Sequence, residues 1–135
     1  MGTKAVVILA EHLPVGLKAN IAAVMGMSLG THRPDLVGPS VATSDGMVAP
    51  GITTIPIPVL TAPGKYLSAI WAEGIDAGLD LMVPFTDAAL RTKTYEEYTA
   101  KLTVVLASDM PVHGILLLGD KKSVNSLVGQ LPLLS

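Results

Sequence analysis

Two groups of polar residues in this chain have the types and spacing for chemistry. The first is Lys18 and Asn20, which follow the turn Glu11-His12-Leu13-Pro14 where a helix opens. A lysine there can bind an anion or stabilise developing negative charge, and an asparagine can hydrogen-bond a ligand carbonyl. The second is Thr86, Asp87, Arg91, Thr92 and Lys93, just beyond an apolar run. Asp87 can activate water if it comes within hydrogen-bond reach of a substrate, and Arg91 suits bidentate contact with a carboxylate or phosphate. Lys18 and Asp87 are therefore the catalytic candidates. Asn20, Thr86, Arg91, Thr92, Lys93 and His113 are the ligand-binding ones.

Each of these residues also has a plainer reading. Lys18 can be a solvated lysine. Asn20 can satisfy the backbone near a helix start. Asp87 can cap a turn or form a surface pair of little net value with Arg91. His113 opens a strand, where a hydrogen-bonded core or edge histidine is the better reading. His12 and His32 read as turn residues and carry weaker signals. Gly119-Asp-Lys-Lys-Ser123 stands at a helix start where a phosphate can bind, but it lacks the full glycine pattern. Asn125 on the following helix reads as a structural hydrogen-bonder. No histidine or carboxylate pair has metal-ligand spacing, and no P-loop, dinucleotide fingerprint or Ser-His-Asp order is present. The expectation is no metal and no cofactor.

The elements that position these residues follow from apolar patterning. Ala5-Val6-Val7-Ile8-Leu9-Ala10 is an unbroken apolar run and predicts a strand buried on both faces. A helix over 15–29 is predicted from Leu17, Ile21, Met25 and Leu29 at helical spacing. Ala22, Gly26 and Gly30 add a small-residue stripe, read as close contact with the domain's own sheet. Six prolines then break the stretch 31–63. Short extended pieces are predicted near Leu36-Val37, Met47-Val48 and Val59-Leu60, and Pro56 and Pro58 allow at most an edge strand. This excursion reads as a lid, a pocket rim or an oligomer arm.

A second helix is predicted over 64–77, with Leu67, Ile70, Trp71 and Ile75 inward and Gly78 as its stop. A strand over 80–83 should end at Pro84. Thr94 and Glu97 have capping-box spacing, opening a helix with Tyr98, Leu102 and Val105 on its core face. A strand follows over 112–118, then a short helix over 121–128 ended by Gly129 and an apolar tail, Leu131-Pro132-Leu133-Leu134. The alternation of strands and helices predicts a single α/β domain over residues 1–135. The expected architecture is a three-layer sandwich around a mixed sheet of four or five strands.

Composition narrows the function classes. Only 15% of the 135 residues are charged and 50% are hydrophobic, with a mean hydropathy of +0.54. No apolar run approaches the roughly 20 residues of a spanning helix, and the short run after Lys4 does not read as a secretory leader. The expectation is a soluble, cytoplasmic chain with too few charges to cover a monomer, hence a homo-oligomer, a dimer first. A net charge of −2 and scattered basic residues disfavour nucleic acid as the main ligand. The absence of cysteine excludes disulfides and thiolate chemistry.

Several segments together carry a resemblance. They are the opening Leu13-Pro-Val-Gly-Leu-Lys-Ala-Asn-Ile-Ala-Ala with the helix end Ser28-Leu29-Gly30, then Pro50-Gly51-Ile52, then Thr94-Tyr95-Glu-Glu-Tyr98. The close, running from Gly114 through Gly119-Asp-Lys-Lys-Ser-Val-Asn to Leu134, completes them. Over nearly its whole length the chain resembles domain-of-unknown-function family 2000, which is similar in fold to the type II peptidyl-tRNA hydrolases. The resemblance implies a peptidyl-tRNA hydrolase II-like fold and leaves the activity open. In those hydrolases a Gly-Lys-Gly-Lys run opens the first helix, and Lys18 stands at its first lysine and Asn20 at its second. Asp87, with Arg91-Thr92 behind it, resembles their catalytic aspartate before an Arg-Thr pair, with one extra residue between. Their helical glutamine and histidine are replaced by Val24 and Met27, and their catalytic threonine by Pro111 or Val112. These departures and the acidic balance count against peptidyl-tRNA cleavage.

The reading is a domain that binds a small molecule or peptide end in a cleft between Lys18/Asn20 and the 87–93 segment. One alternative is an amide or ester hydrolase in which Asp87 polarises water and Lys18 stabilises negative charge. Another is a non-catalytic protein-interaction module.

Overall fold

Ala5 to Ala10 are all buried, which places the first strand, β1 (Thr3–Ala10), at the heart of the molecule. The computed structural model describes residues 2–135. In chain order β1 is followed by α1 (Val15–His32), a 3-10 turn at Pro34–Leu36, β2 (Val41–Ala42), β3 (Val48–Ala49), β4 (Val59–Ala62) and α2 (Gly64–Ile75). Then come β5 (Leu81–Thr86), α3 (Asp87–Leu90), α4 (Tyr95–Leu102), a 3-10 turn at Ala107–Asp109, β6 (Val112–Asp120) and α5 (Lys121–Val128). The main sheet has four strands in the order β4-β1-β6-β5. β1 runs parallel to β4, and β6 runs antiparallel to both β1 and β5. The two central strands are the two most continuous apolar runs, because only central strands are covered on both faces.

Side chains alternate across β6 and so identify the layers. A Cβ on Gly114 would stand 2.5 Å from the Ile21 Cγ2 of α1, so this glycine lets α1 approach the sheet. Met82, paired with Leu117, meets α2 at Gly74. From Gly114 onward, even-numbered β6 residues therefore face α1 and odd-numbered ones face α2, while His113, at an irregularity in the register, stands beside His12, which adjoins Gly64 at the start of α2. α5 packs on β1, β6 and α2. The result is a mixed four-stranded sheet between helices, with α1 on one face and α2 and α5 on the other. The C-terminal tail adds only an isolated bridge, Leu133 to Leu60, with Thr61 N–H donating to the Pro132 carbonyl along the outer edge of β4.

Several local expectations need correction. β5 does not stop at Pro84 but passes through it to Thr86; on an edge strand proline's missing N–H can face away from the ladder. Asp87 to Leu90 form a one-turn helix where a loop was expected, because the Thr86 side chain caps it. α1 continues three residues beyond Leu29, so His32 is helical rather than in a turn. Leu36 lies in the 3-10 turn, not in an extended piece, and β2 had no predicted counterpart. α2 ends at Ile75, whose side chain is exposed. α4 buries none of its residues completely, and Val105 lies beyond its end. Nothing lies within 4 Å of a Cβ built on Gly26 or Gly30, so of the small-residue stripe only Ala22 packs against the core.

Candidate functional site

β1, β4 and β5 all end, and β6 begins, at one end of the sheet. Strand ends are where chain direction changes and polar side chains collect. The antiparallel pairing of β5 with β6 sets Thr86 opposite Val112 across an irregularity between Phe85 and Thr86. That pairing brings Asp87 to His113, 26 residues away in sequence. His113 Nε2 lies 3.0 Å from Asp87 Oδ1, and Arg91 Nε donates to Asp87 Oδ2 at 2.7 Å. The His113 and Asp87 side chains are 17% and 28% exposed, whereas Arg91 is 66% exposed.

The bond to His113, with the Arg91 bond and charge adding to it, holds the Asp87 carboxyl below the usual carboxylate range against the opposing effect of burial. An ionised carboxylate only accepts, so Nε2 carries the hydrogen, and in the neutral ring Nδ1 is the basic nitrogen. Each Asp87 oxygen thus accepts one hydrogen bond.

Thr86 is fully buried, and its Oγ1 accepts the Ala89 N–H that opens α3. Thr92 Oγ1 donates to the Ala88 carbonyl. Lys93 donates its backbone N–H to Glu97 Oε2, while Thr94 Oγ1 accepts the Glu97 N–H at the start of α4. This is the predicted capping pair, with the carboxylate reaching Lys93 rather than Thr94. Lys18 and Asn20 sit in the first turns of α1, on the opposite face of the sheet from α2. Neither lines a cavity with Asp87.

Two cavities adjoin these residues. The larger, about 460 Å³, lies between α1, β5 and α4, further along α1 than Lys18 and Asn20. Met25 and Phe85 form its buried part, Val24, Tyr95 and Tyr98 form its walls, and His32, Thr92 and Lys93 are among its polar lining. Burial, with a smaller contribution from neighbouring Tyr95, pushes the Tyr98 hydroxyl above the usual phenol range, so it remains a protonated donor. The smaller cavity, about 220 Å³, is lined by Asp87, Lys101, Val104, Met110 and Pro111 among others.

Sequence reasoning gave His12 only a weak signal, and its ring stands edge-on to that of His113 with centroids 6.5 Å apart. Sequence reasoning missed Tyr98 and Lys101 as lining residues. The only available signal for His12 was its place just after the first buried strand. At the suggested phosphate loop, Asp120 itself occupies the start of α5, accepting from both the N–H and the Oγ of Ser123. Asn125 accepts a hydrogen bond from Lys4 Nζ at 2.6 Å, the structural role expected of it.

No helix is long and apolar enough to cross a membrane among the described residues. No curated protein matches the chain. Among solved structures, a protein of unknown function, Atu0240 from Agrobacterium tumefaciens strain C58, superposes with a TM-score of 0.91 at 19% identity, covering 100% of this chain and 99% of the other. That likeness shows a shared fold. With a sequence profile that matches residues 3–135, the chain belongs to the family described as protein of unknown function (DUF2000).

Proposed function

We propose that this protein binds a small organic molecule in the cavity between α1, β5 and α4. The observation that carries the reading is the cavity itself, about 460 Å³ with Met25 and Phe85 buried beneath it. Small-molecule sites of roughly 300–1,000 Å³ typically combine apolar walls with a few polar groups, and Thr92 and Lys93 are such groups in this lining. The test is a small-molecule screen by ligand-observed NMR on the wild-type chain and on Val24→Trp, which fills the mouth. Compounds should bind the first and not the second. A screen with no binder, or binders indifferent to the tryptophan, refutes the reading.

A second reading is favoured by one contact, the bond between Asp87 and His113. In a hydrolase of amides or esters, the charged Asp87 would orient His113, and His113 would accept the proton of the attacking water. Family membership and the mixed four-stranded sheet support the peptidyl-tRNA hydrolase II-like fold that goes with this reading. Lys18, across the sheet, would act on the substrate only from the rim of the sheet end. An ester and peptidyl-tRNA panel compared between wild type, Asp87→Asn and His113→Asn decides it. Absence of turnover in the wild type ends the proposal. Self-association belongs to the same functional picture, since Val15, Met27, Ile52, Val104 and Leu106 are exposed. A monomeric sedimentation coefficient at high concentration would rule that out.

A further inference from the structure

We propose that the occupant of the α1–β5–α4 cavity is a predominantly apolar organic monoanion, held by its charged end at Lys93. This rests on the binding reading above. The buried part of the cavity is hydrocarbon and aromatic ring, from Met25 and Phe85. Such a surface rewards an apolar body and penalises any charge that goes deep. The polar groups lie at the exposed side, where Lys93 and His32 are both solvent-accessible. No carboxylate is among the lining residues.

Two acids follow the anchor on α4, Glu96 and Glu97; neither is among the lining residues, and Glu97 Oε2 is already engaged by the Lys93 backbone N–H at 3.2 Å. It serves as the cap of α4 rather than as an acceptor inside the cavity. His32 Nδ1 stands 2.8 Å from the Ser28 carbonyl oxygen. A carbonyl only accepts, so that nitrogen carries a hydrogen and Nε2 is the ring atom left for other partners. Tyr98 adds a phenol among the lining residues, kept protonated by its burial. The permanent charge of the lining is thus a single ammonium beside an apolar floor. An anion gains a charge-assisted hydrogen bond there, a neutral isostere gains an ordinary one, and a cation meets repulsion.

The probes are 2-naphthoate, 2-naphthylmethanol and 2-naphthylmethylammonium, which share one ring system and differ in charge. Isothermal titration is run on the full chain, on Lys93→Met, which keeps the aliphatic stem, on Lys93→Arg and on Val24→Trp. Lys93 is exposed, so the variants should keep the wild-type urea midpoint, which is checked first. In the wild type the acid should bind at least about tenfold more tightly than the alcohol, a difference of about 1.4 kcal/mol, with the amine weakest. Lys93→Met should bring acid and alcohol to similar affinity, and Lys93→Arg should restore the order. Equal binding of all three probes, abolished by Val24→Trp, overturns the anion preference and leaves the cavity as a binding site. An acid preference that survives Lys93→Met also overturns it. Failure of every probe to bind the wild type overturns this inference, and the wider screen then decides the cavity reading by itself.

Discussion

Replacing Asp87 by asparagine tests whether the contact with His113 is a charged bond that helps to hold β5 to β6. The side chain keeps its shape and loses its charge. Two bonds are affected. The Arg91 partner is 66% exposed and one helical turn away, so that pair contributes at most about 0.5 kcal/mol. His113 is only 17% exposed. A hydrogen bond to a charged group contributes about 1.5–3 kcal/mol when well buried, and the residual exposure of Asp87 reduces this toward the lower end. The expected loss at neutral pH is therefore about 1–2 kcal/mol, read as a lower urea midpoint with an unchanged slope.

The pH dependence has a definite sign. The folded-state carboxyl lies below its ordinary range, with the His113 bond as the first cause. Its stabilisation is thus fully present above the unfolded value of about 4 and is lost as the pH falls through the folded value. The gap between wild type and Asp87→Asn should shrink as the pH falls below about 4 and close once both chains carry a neutral group there. A gap under about 0.3 kcal/mol at pH 7 would show that the contact adds nothing to stability. A gap that widens as the pH falls below about 4 would reverse the linkage and refute the charge assignment.

Other consequences concern the layers around the site. Gly114→Ala should cost about 1–3 kcal/mol by overpacking, since the new methyl would stand 2.5 Å from the Ile21 side chain. Combined with Ile21→Ala, the loss should fall short of the sum of the two single losses by about 1 kcal/mol; strict additivity in urea titrations would mean that α1 does not rest on that glycine. Thr86→Val keeps the buried volume but removes the acceptor for the Ala89 N–H, costing about 0.5–1 kcal/mol. Hydrogen exchange at Ala89 should accelerate more than the global loss accounts for, and uniform acceleration would argue against a local cap.

Much of the fold was legible in one dimension. β1 and β6 announce themselves as continuous apolar runs, because strands covered on both faces cannot carry polar residues. The α5 boundaries and the Thr94 start of α4 were readable because capping is a local hydrogen-bond problem, solved within three or four residues. The misreadings share a cause. Pro84 ends a strand only if the strand is central, and nothing local says that β5 lies at an edge. Gly26 and Gly30 suggest a close neighbour, yet whether one arrives depends on where the sheet passes. Ile75 is apolar and in phase with Leu67, but α2 leaves the core before reaching it.

The candidate site divides along the same line. Asp87 with Arg91, and Thr94 with Glu97, are neighbours within about one helical turn, so spacing alone brought them into view. Asp87 and His113 are neighbours only because β6 turns back along β5 in one particular register, and a slip of one residue would send His113 to the other face. Which residues would be buried, capped and paired within a turn was written in the order of amino acids, since those interactions reach only a few residues. Which strand lies beside which, and hence the partner of the histidine and the walls of the cavity, was decided by packing between distant segments, where short-range preference has no say.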